Sequence, residues 1–194
     1  MAAFEIKNRE ITVDKEITEI DEFVIKTLAI IEKYTRYSII GGYIAIFFGR
    51  SRATEDIDIF IKDPGFETFG RLFTELKRKG YELTIDDPKS LYHDYLKDNL
   101  SIRIWEKGFP LLNLEVKIAK SPSQKRAIKE RIAVRIGNIT LYFGPIEGQI
   151  AYKRHIMKGQ KDLEDARHLE IVFKDLNKKR IEDYRKVFED EFRR

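Results

Sequence analysis

The sequence predicts an α/β (or α+β) fold, a mixed, largely antiparallel β-sheet flanked by helices, with a C-terminal helical segment. Three observations support this. Helical and strand-like stretches alternate in the first 80 residues, a series of stretches with alternating apolar residues follows, and helical spacing dominates from Gly144 onward. We expect a sheet-containing core over residues 1–143 and a helical segment over residues 144–194.

Composition narrows the function classes. The chain has 194 residues, 42% hydrophobic and 36% charged, which argues against disorder. It contains no cysteine, which excludes disulfides, thiol catalysis and cysteine-ligated zinc. A net charge of +4 is too small to indicate nucleic-acid binding by itself. The charged N-terminus and the absence of a long apolar run predict a cytoplasmic protein with no membrane partner.

The first elements lead to a glycine turn. Residues 1–16 are predicted to be a loop or an edge strand, and a helix is expected over 18–35. A short apolar strand over 37–40 then ends in Gly41 and Gly42, and a helix over 42–49 follows. Glycine lets the backbone turn sharply and lets a ligand approach it closely, and a helix start favours phosphate.

A pair of carboxylates follows on the next strand. Asp56 and Asp58 are two residues apart, so a strand places both on one face and turns Ile57 and Ile59 into the core. Two adjacent like charges are unfavourable unless a cation compensates them. Oxygen ligands suit Mg²⁺ or Mn²⁺, and two such ions could act in phosphoryl or nucleotidyl transfer.

These residues resemble the signature of the nucleotidyltransferase superfamily that includes DNA polymerase β. The resemblance consists of Gly41-Gly42, thirteen further residues and then Asp56-Ile57-Asp58. The string from Arg52 through Thr54 to Asp58 is more similar to the branch that holds small antibiotic nucleotidyltransferases and AbiEii-like abortive-infection toxins. The strong match covers roughly residues 37–61.

The resemblance implies a metal-dependent nucleotidyltransferase fold and activity. Asp56 and Asp58 would be catalytic metal ligands for Mg²⁺ or Mn²⁺, and Gly41 and Gly42 would bind phosphates of a nucleoside triphosphate. Arg52 and Thr54, which match the family string, would belong to the nucleotide-binding residues. Arg50 is interpreted as an exposed loop residue.

The middle of the chain is predicted to supply most of the sheet. An amphipathic helix is expected over 66–79. Strands are expected over 81–85, 91–96, 100–105 and 111–118.

Glu115 is the candidate third carboxylate. It is the only acidic residue of the 111–118 strand, where Asn113 and Lys117 share its face. The superfamily places a metal-binding and catalytic carboxylate on a later strand of this kind. That carboxylate is usually aspartate, so glutamate is a departure; alternatively, Glu115 belongs to a solvated strand face.

The remaining core sequence predicts a basic segment and a hairpin. Residues 121–130 are expected to form a loop or an exposed helix. Strands over 132–136 and 139–143 flank Gly137-Asn138, a typical hairpin turn.

Three helices are expected at the C-terminus, over 145–157, 162–173 and 179–192. The resemblance implies that Lys153 contacts the triphosphate and that the segment from Lys161 and Asp162 to Asp165 completes the nucleotide pocket. The alternative is that Asp162 is a helix cap.

The predicted reaction moves a nucleoside monophosphate from a nucleoside triphosphate to an acceptor and releases pyrophosphate. The acceptor is left open between tRNA, a protein hydroxyl and a small molecule. Two alternatives remain: an inactive nucleotide-binding module, such as a toxin with an antitoxin partner, and a plain interaction protein.

Overall fold

A single mixed sheet forms the centre of the computed structural model, which describes residues 4–193. Within that range the sheet has eight strands: β1 (Glu10–Thr12), β2 (Tyr37–Ile40), β3 (Asp56–Ile61), β4 (Tyr81–Leu83), β5 (Ile102–Glu106), β6 (Asn113–Ile118), β7 (Ile132–Ile136) and β8 (Ile139–Phe143). Their order is β1-β7-β8-β2-β3-β6-β5-β4. Four of the seven neighbouring pairs are antiparallel and three are parallel, which confirms the predicted mixed sheet.

The register at the middle of the sheet brings three chain segments together. Strand β3 runs antiparallel to β2 and parallel to β6. Asp58 lies opposite Ile40 on one side and opposite Glu115 on the other. The end of β2, where the glycine turn begins, therefore adjoins the carboxylates of β3 and β6.

Helices cover the sheet and extend beyond it at the C-terminus. They are α1 (Glu19–Ile31), α2 (Gly42–Phe47), α3 (Phe66–Arg78), α4 (Pro88–Ser90), α5 (Pro122–Lys129), α6 (Ile146–Tyr152), α7 (Gln160–Val172) and α8 (Lys178–Phe192). Wider, π-helical turns extend α4 over Leu91–Tyr95 and α6 over Lys153–Met157. Local signals place the starts well, since Thr18 caps α1 and Ser121 caps α5, each through a capping box.

Along β3, apolar side chains that face the core alternate with the carboxylates of the candidate site. Ile57, Ile59 and Ile61 are at most 1% exposed and lie in the hydrophobic core, whereas Asp56 and Asp58 alternate with them and are half-buried. Helix α5 contacts β2 and β3. Burial of the isoleucines on one face therefore fixes the direction in which both carboxylates point.

One predicted strand is wrong. Residues 91–96 form helical turns rather than a strand, beginning after Asp87, whose side chain accepts hydrogen bonds from the backbone N–H groups of Lys89 and Ser90. Leu91 and Leu96 are both fully buried, a spacing that a helical turn satisfies. The cap at Asp87 and the proline that follows it were the overlooked start signal.

Elsewhere the structure decides between predicted alternatives or shortens a predicted element. Residues 121–130, left open between a loop and a helix, form α5 with Ser123 and Ala127 buried. Helix α1 is shorter than the predicted 18–35 and begins after the predicted cap, Thr18. The hairpin over 132–143 is confirmed.

The C-terminal helices pack on the same hydrophobic core as the sheet. Ile146 and Ile150 of α6 lie in the main core, and α8 packs on α6 through Tyr184 and Phe188. Of the predicted N-terminal loop or edge strand, residues 1–3 lie outside the described range, as does residue 194 of the helical segment. No helix within residues 4–193 has the length and apolar character needed to cross a membrane.

Candidate active site

A cleft of about 640 Å³ lies between the sheet and the C-terminal helices. Seven predicted site residues line it: Gly41, Gly42, Arg52, Asp58, Glu115, Lys153 and Asp162. Helices α5, α6 and α8 supply the opposite wall. The volume is in the range of small-molecule sites.

Three predicted carboxylates lie on adjacent strand positions with different partners. Asp56 accepts a hydrogen bond from Nδ2 of Asn113 at 2.7 Å. Glu115 pairs with Lys117 at 3.1 Å and with Arg103 at 3.8 Å. Among the described residues, no hydrogen-bond donor contacts Asp58, so its charge is the least compensated of the three.

The pKa values reflect these partners. Burial, followed by the nearby Glu115 carboxylate, raises the pKa of Asp58 to about 6. Burial also acts to raise the pKa of Glu115, but hydrogen bonds from Lys117 and Ser101 outweigh it and leave that pKa below its usual value. Asp58 is therefore the group that would gain most from a bound cation.

The two glycines make room for site side chains. Gly41 has a φ of 77°, and a Cβ added there would overlap the Asp58 carboxylate. A Cβ on Gly42 would overlap the guanidinium of Arg52. The Gly-Gly pair thus allows Asp58 and Arg52 to lie directly against the backbone of the turn.

A buried carboxylate holds the cations of the site. Asp165 is fully buried on α7 and contacts Nζ of Lys153 at 2.8 Å. It also pairs with the guanidinium of Arg50 and, at 3.3 Å, with Nε of Arg52. Asp162 binds Lys153 as well, at 3.0 Å.

These cations are paired, but burial still disfavours their charged forms. Burial lowers the pKa of Lys153, although its hydrogen bond to Asp162 offsets part of the effect. Burial and the neighbouring Arg50 charge also lower the pKa of Arg52, and its buried Nε has no well-aligned hydrogen-bond acceptor among the described residues. An anion in the cleft would offset the cost of burying these two cations.

Some predicted residues lie outside the cleft lining. The Thr54 hydroxyl donates to the backbone carbonyl of Asp56 at 3.0 Å, so it supports the start of β3. The side chain of Lys161 is exposed, and its carbonyl accepts a hydrogen bond from Arg50 at 2.8 Å. Asp56 lies beside the cleft rather than in its lining.

The three carboxylates do not converge on one point. Within residues 4–193 no three His, Asp or Glu side chains are placed so that they could together hold a metal ion. Glu115 is held instead by its ion pairs with Lys117 and Arg103. Any three-carboxylate set would require Glu115 to leave these partners.

Sequence reasoning missed several residues that shape the site. The sequence predicts an exposed loop residue at Arg50, but in the structure Arg50 pairs with Asp165 and Glu164 across the fold. Asn113 is 4% exposed and orients Asp56, and Gln149 accepts from the Gly41 N–H at 3.1 Å. Only the polarity of Asn113 within an apolar strand was a signal visible in the sequence.

The comparison with solved structures identifies the fold. The solution structure of the antibiotic-resistance factor ANT(2'')-Ia matches with a TM-score of 0.56 and 17% identity, covering 89% of this chain and 92% of that one. The crystal structure of ANT(2'')-Ia in complex with adenylyl-2''-tobramycin matches with a TM-score of 0.55 and 17% identity, over 88% and 97% of the two chains. An antigenic nucleotidyltransferase-like protein from Paracoccidioides brasiliensis matches with a TM-score of 0.53 and 11% identity, over 89% and 87%.

These likenesses show that the chain has the nucleotidyltransferase fold, as the sequence predicted. No protein-family model matches the chain. No curated protein matches it either. The likeness is therefore one of fold, and the resemblance to the AbiEii-like branch stays a prediction.

Proposed function

We propose that this chain is a nucleotidyltransferase that moves a nucleoside monophosphate from a nucleoside triphosphate to an acceptor hydroxyl and releases pyrophosphate. The observation that carries the proposal is Asp58. It is a carboxylate that no donor among residues 4–193 contacts, its pKa is raised to about 6, and it faces a cleft in which Arg52 and Lys153 supply positive charge. Unpaired negative charge beside such cations suits a reaction between a metal-bound polyphosphate and a hydroxyl.

The residues divide between the two ends of the reacting phosphate chain. The acceptor oxygen forms a bond to the α-phosphorus, the bond from that phosphorus to the β-phosphate bridging oxygen breaks, and pyrophosphate leaves. Arg52 and Lys153 offset the charge of the leaving pyrophosphate. Glu115 accepts the proton of the acceptor hydroxyl once it has left Lys117, because the hydrogen bond from Lys117 lowers its pKa and weakens it as a base. The glycine turn lets the phosphates approach the backbone.

A divalent cation fits the donor set. Asp56 and Asp58 offer oxygen ligands on one strand face, and in the described part of the chain no donor competes for Asp58. Mg²⁺ or Mn²⁺ held there, with Glu115 completing the set after leaving Lys117, would neutralise the phosphate oxygens. Asn113 fixes the orientation of Asp56 for this role through its 2.7 Å hydrogen bond.

The acceptor is proposed only as a hydroxyl, on a tRNA end, a protein side chain or a small molecule. A second candidate function is an inactive nucleoside-triphosphate-binding module with a protein partner such as an antitoxin. The ion pairs of Glu115 with Lys117 and Arg103 favour this alternative, because they engage the third carboxylate, and no three carboxylates among the described residues are placed to hold a metal ion together.

Thermal unfolding with each nucleoside triphosphate, with and without Mg²⁺, tests the proposal. A nucleotide at 100 times its Kd should add about 2.7 kcal/mol of stability, visible as a rise in Tm. We expect the rise to need Mg²⁺ in the wild type and to vanish in Asp58→Asn. The matched control is Asp190→Asn, an exposed aspartate on α8, which should retain it.

Pyrophosphate release then separates the two candidate functions. With labelled nucleotide and a panel of RNA, protein and aminoglycoside acceptors, an enzyme transfers label and Asp58→Asn does not. Binding without release for every acceptor would favour the inactive module. No Mg²⁺-dependent Tm rise with any nucleotide would refute both candidates.

A further inference from the structure

The helical wall of the cleft is aromatic. Tyr152 of α6 and Phe188 and Phe192 of α8 line it, with ring centres 5.2 Å apart for Tyr152 and Phe188 and 6.1 Å apart for Tyr152 and Phe192. The described hydrogen bonds leave the Tyr152 hydroxyl without a partner. Tyr152 directly precedes Lys153, and both residues line the cleft, so the aromatic wall adjoins one of the cations.

The rim of this wall is exposed although it is apolar. Phe192 is 59% exposed and Met157 is 53% exposed, and both line the same cleft. Single exposed apolar side chains are ordinary on protein surfaces. Here, however, Phe192 and Met157 both line a charged cleft and adjoin the aromatic side chains of Tyr152 and Phe188. Together they form an apolar surface that a flat ligand would cover.

The last turn of α8, which carries Phe192, is anchored to the rest of the protein. The last turn of a helix at a chain end is usually frayed. Glu191, which lines the cleft beside Phe192, accepts hydrogen bonds from the backbone N–H and the hydroxyl of Ser123, both at 2.6 Å. It accepts a third from the Ser121 hydroxyl at 3.0 Å. These contacts tie the last turn of α8 to the start of α5, so Phe192 is presented on an anchored helix end rather than a frayed one.

We infer that the aromatic wall formed by Tyr152, Phe188 and Phe192 is the subsite for the nucleobase of the nucleoside triphosphate. This inference rests on the proposed function, because it takes the phosphates to lie at Arg52 and Lys153. A nucleoside triphosphate has one polyanionic end and one flat aromatic end, and the same cleft offers both cations and aromatic rings. Rings of this kind stack on any base, because every base has a π-face.

Calorimetric titration with two probes tests the inference. One probe is each of the four nucleoside triphosphates with Mg²⁺, and the other is inorganic tripolyphosphate with Mg²⁺, which has the same charged end and no base. Phe192→Ala should raise the Kd of the preferred nucleotide by about 5- to 100-fold, the cost of losing one stacking partner. The Kd of tripolyphosphate should not change.

Three further variants sharpen the test. Phe192→Trp keeps a stacking ring and should bind the nucleotide as the wild type does. Glu191→Ala unties the helix end and should weaken nucleotide binding without affecting tripolyphosphate. Phe109→Ala is the matched control, because Phe109 is 71% exposed but lies outside the cleft lining, and it should change neither Kd.

Each contrary result overturns the inference in a recognisable way. An unchanged nucleotide Kd in Phe192→Ala places the base elsewhere or assigns the wall to the acceptor. Equal weakening of both probes shows a general effect on the fold. If the wild-type protein binds tripolyphosphate as tightly as it binds every nucleotide, the cleft has a phosphate site but no base subsite. Binding of neither probe refutes the proposed function itself.

Discussion

The two charged regions of the cleft are built in opposite ways. On the sheet, Asp56, Asp58 and Glu115 collect negative charge on neighbouring positions, and none of the described residues donates a hydrogen bond to Asp58. At the C-terminal helices, the positive charges of Lys153 and of Arg50, which lies in the loop after α2, meet at the buried carboxylate of Asp165. The sheet region is therefore electrostatically strained in the free protein, and the helical region is largely compensated.

This difference indicates which region awaits a ligand. An uncompensated buried charge costs stability, and proteins keep one where a cation or a reaction needs it. A paired cation cluster instead contributes to holding the helices against the core, besides any role with phosphate. The same substitution, aspartate to asparagine, should therefore change stability in opposite directions in the two regions.

The largest effect is expected in the helical region. Asp165→Asn removes the buried charge that Lys153, Arg50 and Arg52 share. Lys153 then keeps only Asp162 and Arg50 only Glu164 as a charged partner, and Arg52 keeps none among the described residues. Breaking a buried ion pair from one side costs about 3–5 kcal/mol. For a chain of this size that corresponds to a fall in Tm of roughly 6–20 °C, measurable by thermal unfolding without ligand.

Asp190→Asn serves again as the control, with an expected change within about 0.5 kcal/mol. A Tm for Asp165→Asn within a degree or two of the wild type would remove the proposed contrast, since the cations would then be stable without their shared partner.

Asp58→Asn should have a smaller effect of the opposite sign. The pKa of Asp58 is raised from 3.8 to about 6, so above pH 6 its charge destabilises the folded state, and below 3.8 it is protonated in both states. At pH 8 the variant should gain about 1–3 kcal/mol. The gain should shrink as the pH falls through 6 and disappear below about pH 4.

Thermal unfolding of both proteins across pH 4–8 gives the comparison. A variant that is no more stable than the wild type at pH 8, or whose gain is the same at every pH, would show that Asp58 is compensated after all.

The smallest effect is expected at the ion pair that holds Glu115. Lys117→Met removes the 3.1 Å partner of Glu115, but Lys117 is 41% exposed at its side chain, so the pair contributes only about 0.2–1 kcal/mol. Because the pKa of Glu115 is depressed, this contribution is present above its usual pKa of 4.5 and lost as the pH falls through the depressed value. Lowering the pH should therefore erase the difference in Tm.

Lys125→Met, an exposed lysine of α5, is the matched control. A loss of several kcal/mol in Lys117→Met would contradict the assignment of Lys117 as a half-exposed partner and would make it a structural residue of the sheet.

Local patterns predicted much of this fold because they depend on neighbours in sequence. The period-two alternation of β3 placed both aspartates on one face, and the apolar strand before Gly41 placed the turn. Where two local signals competed, the sequence interpretation failed. Residues 91–96 have apolar spacing compatible with a strand, but the cap at Asp87 starts a helix.

The sequence by itself determined the carboxylate pair, the glycine turn and their order along the chain, because strand and turn geometry act over a few residues. Only the tertiary structure decided that Arg50, Arg52, Lys153 and Asp165 meet, since residues more than one hundred positions apart come together only when α7 packs on α2. The tertiary structure also decided that Glu115 lies beside Asp58, because local periodicity cannot specify the parallel pairing of their strands. It decided as well that aromatic side chains of the last helix face the same cleft.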